Sequence, residues 1–183
     1  MDITHIVKLT ERSWAPTILA LLHNGVPARQ APLIAASGAG RSSFLNSLVY
    51  LKEAGLLEKN PGHGHPMRPE YRLTNAGKAA AEVSHRLLLA TPQPDRTLFR
   101  RRWSLPVLAA LPVPRGFNAV KQSLPGITDR ALSQSLRSME DQGWLDRRIN
   151  GEIRPPGTLY SGIGVGATLI QILNGIETAD GAA

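Results

Sequence analysis

The sequence predicts a mainly α chain with small β-hairpins, α+β in class, made of two copies of one unit. Three observations carry that reading. The first is a pair of Trp-led apolar runs, Trp14-Ala15-Pro16-Thr17-Ile18-Leu19-Ala20-Leu21-Leu22 and Trp103-Ser104-Leu105-Pro106-Val107-Leu108-Ala109-Ala110-Leu111. Each is followed by a Val-Pro, at Val26-Pro27 and Val113-Pro114. The second is that Leu45, Leu48, Leu51, Gly55 and Leu57 answer Leu132, Leu136, Met139, Gly143 and Leu145 at a nearly constant offset. The third is the closing stretch, where Glu58-Lys59 answers Asp146-Arg147, Pro69 with Tyr71 answers Pro156 with Tyr160, and Gly77 answers Gly166. Self-similarity of this kind marks a repeated structural unit, here of roughly ninety residues. The two copies are placed at 1–92 and 95–183. Between them, Ala90-Thr91-Pro92-Gln93-Pro94-Asp95 carries two prolines that stop the preceding helix.

Each element follows from local chemistry. Ile18, Leu19, Leu21 and Leu22 recur at helical spacing and end at Asn24-Gly25. Residues 27–36 allow a second short helix. Over 42–54, Leu45, Leu48, Val49 and Leu51 share one face, and Ser43, Asn46, Ser47 and Tyr50 fall largely off it. Gly55 stands where a helix closes in a left-handed cap. Residues 56–59 read as a short strand, 60–66 as a turn, and 70–74 alternate as a second strand. A final helix is expected over 75–89. Helix, helix, helix, hairpin, helix is the order of a winged helix-turn-helix. Its third helix keeps one apolar face for the core and offers one small polar face to a DNA major groove. The hairpin is a wing able to meet backbone or minor groove.

Composition agrees with such a partner. Hydrophobic residues make up 42% of the 183, enough for a core; 21 Lys and Arg against 14 Asp and Glu leave a net charge of +7. An excess of this size favours a polyanion. It is shared between the copies, with 10 basic and 6 acidic residues in 1–92 and 11 and 8 in 93–183. The absence of cysteine excludes disulfides, zinc–thiolate sites, iron–sulfur ligation and a thiol nucleophile. No apolar run approaches the ~18 residues of a membrane span. Met1-Asp2-Ile3-Thr4-His5 lacks a basic stretch leading into an apolar core, so no secretory signal is expected. The expectation is a cytoplasmic protein without a membrane partner, associated with the nucleoid.

The second copy resembles the HxlR-type winged-helix transcription regulators. The run Phe117-Asn118-Ala119-Val120-Lys121-Gln122-Ser123-Leu124-Pro125-Gly126-Ile127-Thr128, continuing to Arg137, carries the resemblance. The first copy is similar in its Trp-led helix, in Leu51-Lys52-Glu53-Ala54-Gly55-Leu56-Leu57 and in Pro69-Glu70-Tyr71-Arg72-Leu73-Thr74-Asn75-Ala76-Gly77. The resemblance implies a DNA-binding regulator. Members are typically single-module homodimers, and redox-sensing members use an N-terminal cysteine. This chain carries two modules and no cysteine, so thiol sensing is not implied for it.

Candidate DNA-binding residues fall on the third helix and the wing of each copy. In the second copy Thr128 is a good N-cap, and Arg130, Ser133, Gln134 and Arg137 fall on one face of the helix it starts. Arg pairs with guanine and Gln with adenine through two hydrogen bonds each. The matching helix of the first copy offers Arg41, Ser42, Ser43, Asn46, Ser47 and Tyr50, a less basic set. Wing candidates are His63, His65 and Arg68 in the first copy and Arg147, Arg148 and Arg154 in the second. Such cations neutralise phosphates and make affinity salt-dependent. The plain alternative for each is a solvated surface charge.

Other features have simpler readings. Arg100-Arg101-Arg102 either covers a helix surface or anchors phosphate, and Trp14 and Trp103 are expected in the core. His63-Gly64-His65 has no third ligand at matching spacing, so no metal is expected there. Residues 35–42 faintly echo a phosphate loop but lack its first Gly and its Lys. Gly162-Ile163-Gly164-Val165-Gly166-Ala167 echoes a dinucleotide fingerprint, yet too little chain follows to complete that fold. No catalytic set converges, so no enzyme and no cofactor are expected. The expected partner is double-stranded DNA, bound by a monomer acting as a pseudo-dimer or by a homodimer. The rival reading is a winged-helix protein-interaction or chromosome-organisation factor, for which an exposed apolar face on the third helix would be the mark.

Overall fold

The computed structural model describes residues 2–65, 68–150 and 157–175. The chain divides into two compact units, one formed by Lys8–Pro92, the other by the chain from Gln93 onward together with the N-terminal residues up to Val7. A helix not expected from the sequence, α1 (Ile3–Leu9), opens the chain.

In the unit Lys8–Pro92, α2 (Ala15–His23) buries Ala15, Ile18, Leu19 and Ala20, with Pro16 in its first turn, where the missing N–H costs nothing. It ends at Asn24, and Gly25 takes up a positive φ of 76°. Next comes α3 (Gln30–Ser37), which starts later than the expected 27. The delay has a cause. Arg29 is extended and forms an antiparallel bridge with Glu70, and the Tyr71 N–H donates to the Ala28 carbonyl at 2.8 Å. Gly38-Ala39-Gly40, the core of the phosphate-loop echo, is the turn between α3 and α4 (Arg41–Glu53). Phe44, Ser47, Leu48 and Leu51 of α4 face the core with Trp14, Ile18, Leu19, Leu33, Leu57, Tyr71 and Ala81.

The hairpin pairs β1 (Leu57–His65) with β2 (Arg68–Leu73) antiparallel. Residues 60–65, expected as a turn, belong to β1. Pairing runs regularly to Lys59↔Tyr71, breaks, and resumes at Gly64↔Pro69. Pro61, which has no N–H to give a ladder, sits inside that break. The final helix of the unit, α5 (Asn75–Leu89), is capped by Thr74, whose Oγ1 accepts the Gly77 N–H at 3.0 Å.

In the other unit, a 3-10 helix (Gln93–Arg100) leads to α6 (Ser104–Ala109), every residue of which is buried. Then follow β3 (Arg115–Gly116), α7 (Phe117–Gln122), α8 (Asp129–Asp141), β4 (Leu145–Asn150), β5 (Gly157–Gly162) and α9 (Gly164–Leu173). The strands form one antiparallel sheet in the order β3-β5-β4. Trp103, expected in the core, is only half-buried. The buried aromatic here is Trp144, 6.4 Å between ring centroids from Phe99 and hydrogen-bonded through its indole N–H to Asp95. Asp95 also accepts from Gln142 at 2.8 Å, which ties the entry of the unit to the end of α8.

Gly77 and Gly166 are there for close approach. A Cβ on Gly77 would stand 1.9 Å from the Leu56 carbonyl oxygen, and one on Gly166 would stand 2.0 Å from that of Trp144. Each carbonyl also receives the N–H of the residue where its hairpin ends, Thr74 and Ile163 respectively. Gly166 thus has a packing role that Gly77 shares.

Candidate nucleic-acid interface

The site is clearest on α8. Thr128 caps the helix as expected, its Oγ1 accepting the Ala131 N–H at 3.2 Å. Asp129 occupies the first turn, where the helix dipole favours an anion, and pairs with Lys121 of α7 at 2.5 Å. Leu132, Ser135, Leu136 and Met139 are buried, which fixes the rotation of the helix. The opposite face is left with Arg130, Ser133, Gln134 and Arg137, all exposed. The side chains of Arg130, Gln134 and Arg137 have no hydrogen-bond or ion-pair partner among the described residues. At i, i+4 and i+7 they form one row along the helix. Unpaired donors in a row are what a base edge requires, because nothing must be broken before they engage it.

On α4 the outcome is mixed. Arg41, Ser42, Ser43 and Asn46 are exposed, as the sequence reading requires. Ser47 is not: it is 2% exposed, its hydroxyl donates to the Ser43 carbonyl at 3.0 Å and accepts the Trp14 N–H at 3.4 Å. A hydroxyl so engaged locks α4 to the start of α2 and cannot read a base. Alternation of polar and apolar residues along the helix misplaced it, because a small serine fits between Phe44 and Leu51 where helices meet closely. Tyr50 is also occupied, its hydroxyl donating to the Lys8 carbonyl at 2.6 Å. Val49 is 50% exposed, so the outer face of α4 is less polar than that of α8.

The wing residues separate. Arg147 and Arg148 are both exposed on β4, but as strand neighbours they point to opposite faces of the sheet. Arg148 already pairs with Asp146 at 2.5 Å, a solvent-exposed contact of the kind worth at most ~1 kcal/mol. The two arginines therefore do not form one cationic patch. Arg68 lies at the start of β2, and His63 and His65 lie in β1. Arg154 falls outside the described residues.

Arg101 and Arg102, for which the sequence leaves a helix surface or a phosphate anchor open, take up defined contacts. Arg101 donates to the Ser138 hydroxyl of α8, and the Arg102 guanidinium carbon lies 5.1 Å from the centroid of the Trp103 ring. They stand between the 3-10 helix and α6, not along a helix. The signal available in the sequence was their place just before the Trp-led helix, whose start packs near the middle of the third helix.

The second unit thus carries an exposed, unpaired polar row on the second helix of a helix-turn-helix, with a hairpin following. Residues 98–179 match the HxlR-like helix-turn-helix family, just under half of the chain. That family is one of DNA-binding transcription regulators rather than enzymes, and the match spans α6 to α9. No curated protein and no solved structure matches the chain. Among the described residues, no helix is long and apolar enough to cross a membrane.

Proposed function

We propose that the chain is a sequence-specific DNA-binding transcription regulator that carries two winged helices, at 1–92 and 95–183, and acts as an intramolecular pseudo-dimer at the nucleoid. The observation that carries this reading is the unpaired row Arg130, Gln134 and Arg137 on α8, inside the segment similar to the HxlR-like family. The tandem arrangement is supported by parallel details. The order α2, α3, α4, β1, β2, α5 has its like in α6, α7, α8, β4, β5, α9. The Arg29↔Glu70 bridge has its like in the pairing of β3 with β5. Gly77 against Leu56 has its like in Gly166 against Trp144.

In this reading α8 specifies sequence, helped by Ser133 and by the cap Thr128, and Arg147 neutralises a phosphate beside it. Arg148 contributes less, since Asp146 already holds it. In the first module Arg41, Ser42, Ser43 and Asn46 meet DNA with little base selection, and Arg68 meets the backbone. Because the two reading helices differ, the site bound by one chain is not a palindrome. The half-exposed Val49 on α4 supports a second role for the first module, docking a protein partner.

The test is duplex binding measured from low to physiological salt, on a sequence selected from a random pool and on its scrambled counterpart. Several neutralised phosphates would weaken both by about a hundredfold or more across that range. Preference for the selected duplex should persist at every salt. Absence of binding to any duplex would turn the reading to a protein-interaction factor.

A further inference from the structure

Beside the reading row of α8 lies a shallow notch of 380 Å³, lined by Arg101, Arg102, Trp103, Ala131, Gln134 and Ser135. Its composition is specific. Arg101 and Arg102 both line it, no carboxylate does, and Gln134, the central residue of the exposed row, is among its lining residues. Both cations are held in place. Arg101 is tied to Ser138, one helical turn beyond Gln134, and Arg102 lies against the Trp103 ring, where the π-face favours a cation. A long side chain ordered in advance loses less freedom when it binds. Exposed arginines kept for solubility would be left to move in water.

We infer that this notch is a phosphate clamp: Arg101 and Arg102 seat one backbone phosphate of duplex DNA and thereby set the depth and register at which Gln134 meets a base edge. The inference rests on the DNA-binding reading above and extends it to residues outside the third helix and the wing. The chemistry suits the ligand. A phosphodiester offers two anionic oxygens, a guanidinium presents paired donors, and two such groups around one opening match it without base selectivity. The geometry also suits the docking of a helix. When α8 lies in a major groove, the flanking strand passes along the side of the helix, and Ala131, Gln134 and Ser135 mark that side. In the first unit the corresponding stretch is Arg12-Ser13-Trp14, with serine where Arg102 stands, so only the second unit carries the pair.

The experiment compares wild type, R101A/R102A, R101K/R102K and Q134A on the selected and scrambled duplexes over a salt series, with circular dichroism as a check on folding. The double alanine variant should lose about tenfold affinity or more on both duplexes, and its log–log salt slope should fall by about one. The double lysine variant keeps the charge and should keep most of the slope. Q134A should lose affinity on the selected duplex alone. A second arm uses wild-type protein and selected duplexes in which one phosphate at a time is replaced by an uncharged methylphosphonate. Among the several sensitive positions, one is expected to become insensitive in R101A/R102A. If the double alanine variant does not fold, the single variants R101A and R102A replace it in the methylphosphonate series: loss of one sensitive position supports the clamp, and retention of all of them overturns it. Wild-type affinity and slope in R101A/R102A, with Q134A still impaired, would overturn the clamp and leave the DNA-binding reading standing. Failure of wild type to bind any duplex would overturn both.

Discussion

Replacing Gly166 by alanine tests the packing at the base of the β4–β5 hairpin. The new Cβ would stand 2.0 Å from the Trp144 carbonyl oxygen, 2.7 Å from its carbonyl carbon and 2.9 Å from its Cα. All three are backbone atoms, so no side chain can turn aside to make room. The entry to β4 and the first turn of α9 must part by about 1 Å, an overpacking that costs about 1–3 kcal/mol. The same carbonyl accepts the Ile163 N–H at 3.0 Å, and displacing it weakens a hydrogen bond worth about 1 kcal/mol. Against these stands the better helix propensity of alanine, at most about 1 kcal/mol and less in a first turn. The net expectation is a loss of about 2–3 kcal/mol, or a fall in Tm on the order of 10 °C for a unit of this size. Urea and thermal unfolding of the full chain, followed by circular dichroism, measure it, and hydrogen exchange should place the loss in β4, β5 and α9. Gly157→Ala is the control: its Cβ meets nothing within 4 Å, and stability should stay level or rise slightly. Equal stability of Gly166→Ala and wild type, within ~0.5 kcal/mol, would refute the argument from close approach.

Three further outcomes are expected. Gln134→Ala should cost about 1–3 kcal/mol on a selected duplex and much less on a scrambled one in fluorescence-anisotropy titrations, because phosphate contacts are untouched; equal losses on both would show that α8 does not read sequence. Ser47→Ala should lower unfolding stability by about 0.5–1.5 kcal/mol through its bonds to Trp14 and Ser43 while DNA affinity holds, and an affinity loss at unchanged stability would contradict its burial. Asp95→Ala removes the acceptor of both Gln142 and the buried Trp144 indole, so unfolding should become easier by about 1–3 kcal/mol and tryptophan emission should change.

Much of the architecture was legible from local pattern. Leucines at helical spacing placed α2, α4 and α8, and Asn24-Gly25 and Gly55 marked two helix ends where φ is positive. The helix expected over 75–89 is α5 without change, since Thr74 caps it and the prolines beyond Ala90 stop it. Thr128 and the row Arg130, Gln134, Arg137 were legible for the same reason: helix periodicity decides which residues share a face, and capping chemistry decides where the period starts.

What lay beyond the sequence depended on partners far along the chain. Lys59 to Gly64 stay in the hairpin because β2 pairs on both sides of the break, although Asn, Pro and Gly signal a turn there. Arg29 stays out of α3 because Glu70, forty-one residues away, bridges to it. Ser47 is turned inward by the N–H of Trp14, and Arg148 is partly neutralised by Asp146. Periodicity sorts residues into faces but does not say which polar group a neighbouring element will engage. Only packing brings Arg101 to Ser138 and sets Arg102 on Trp103 beside Gln134. The exposed polar face of α8 was thus written in the helix itself, while the cations held beside it were placed by tertiary contacts, because a side chain's freedom is decided by what lies next to it in space.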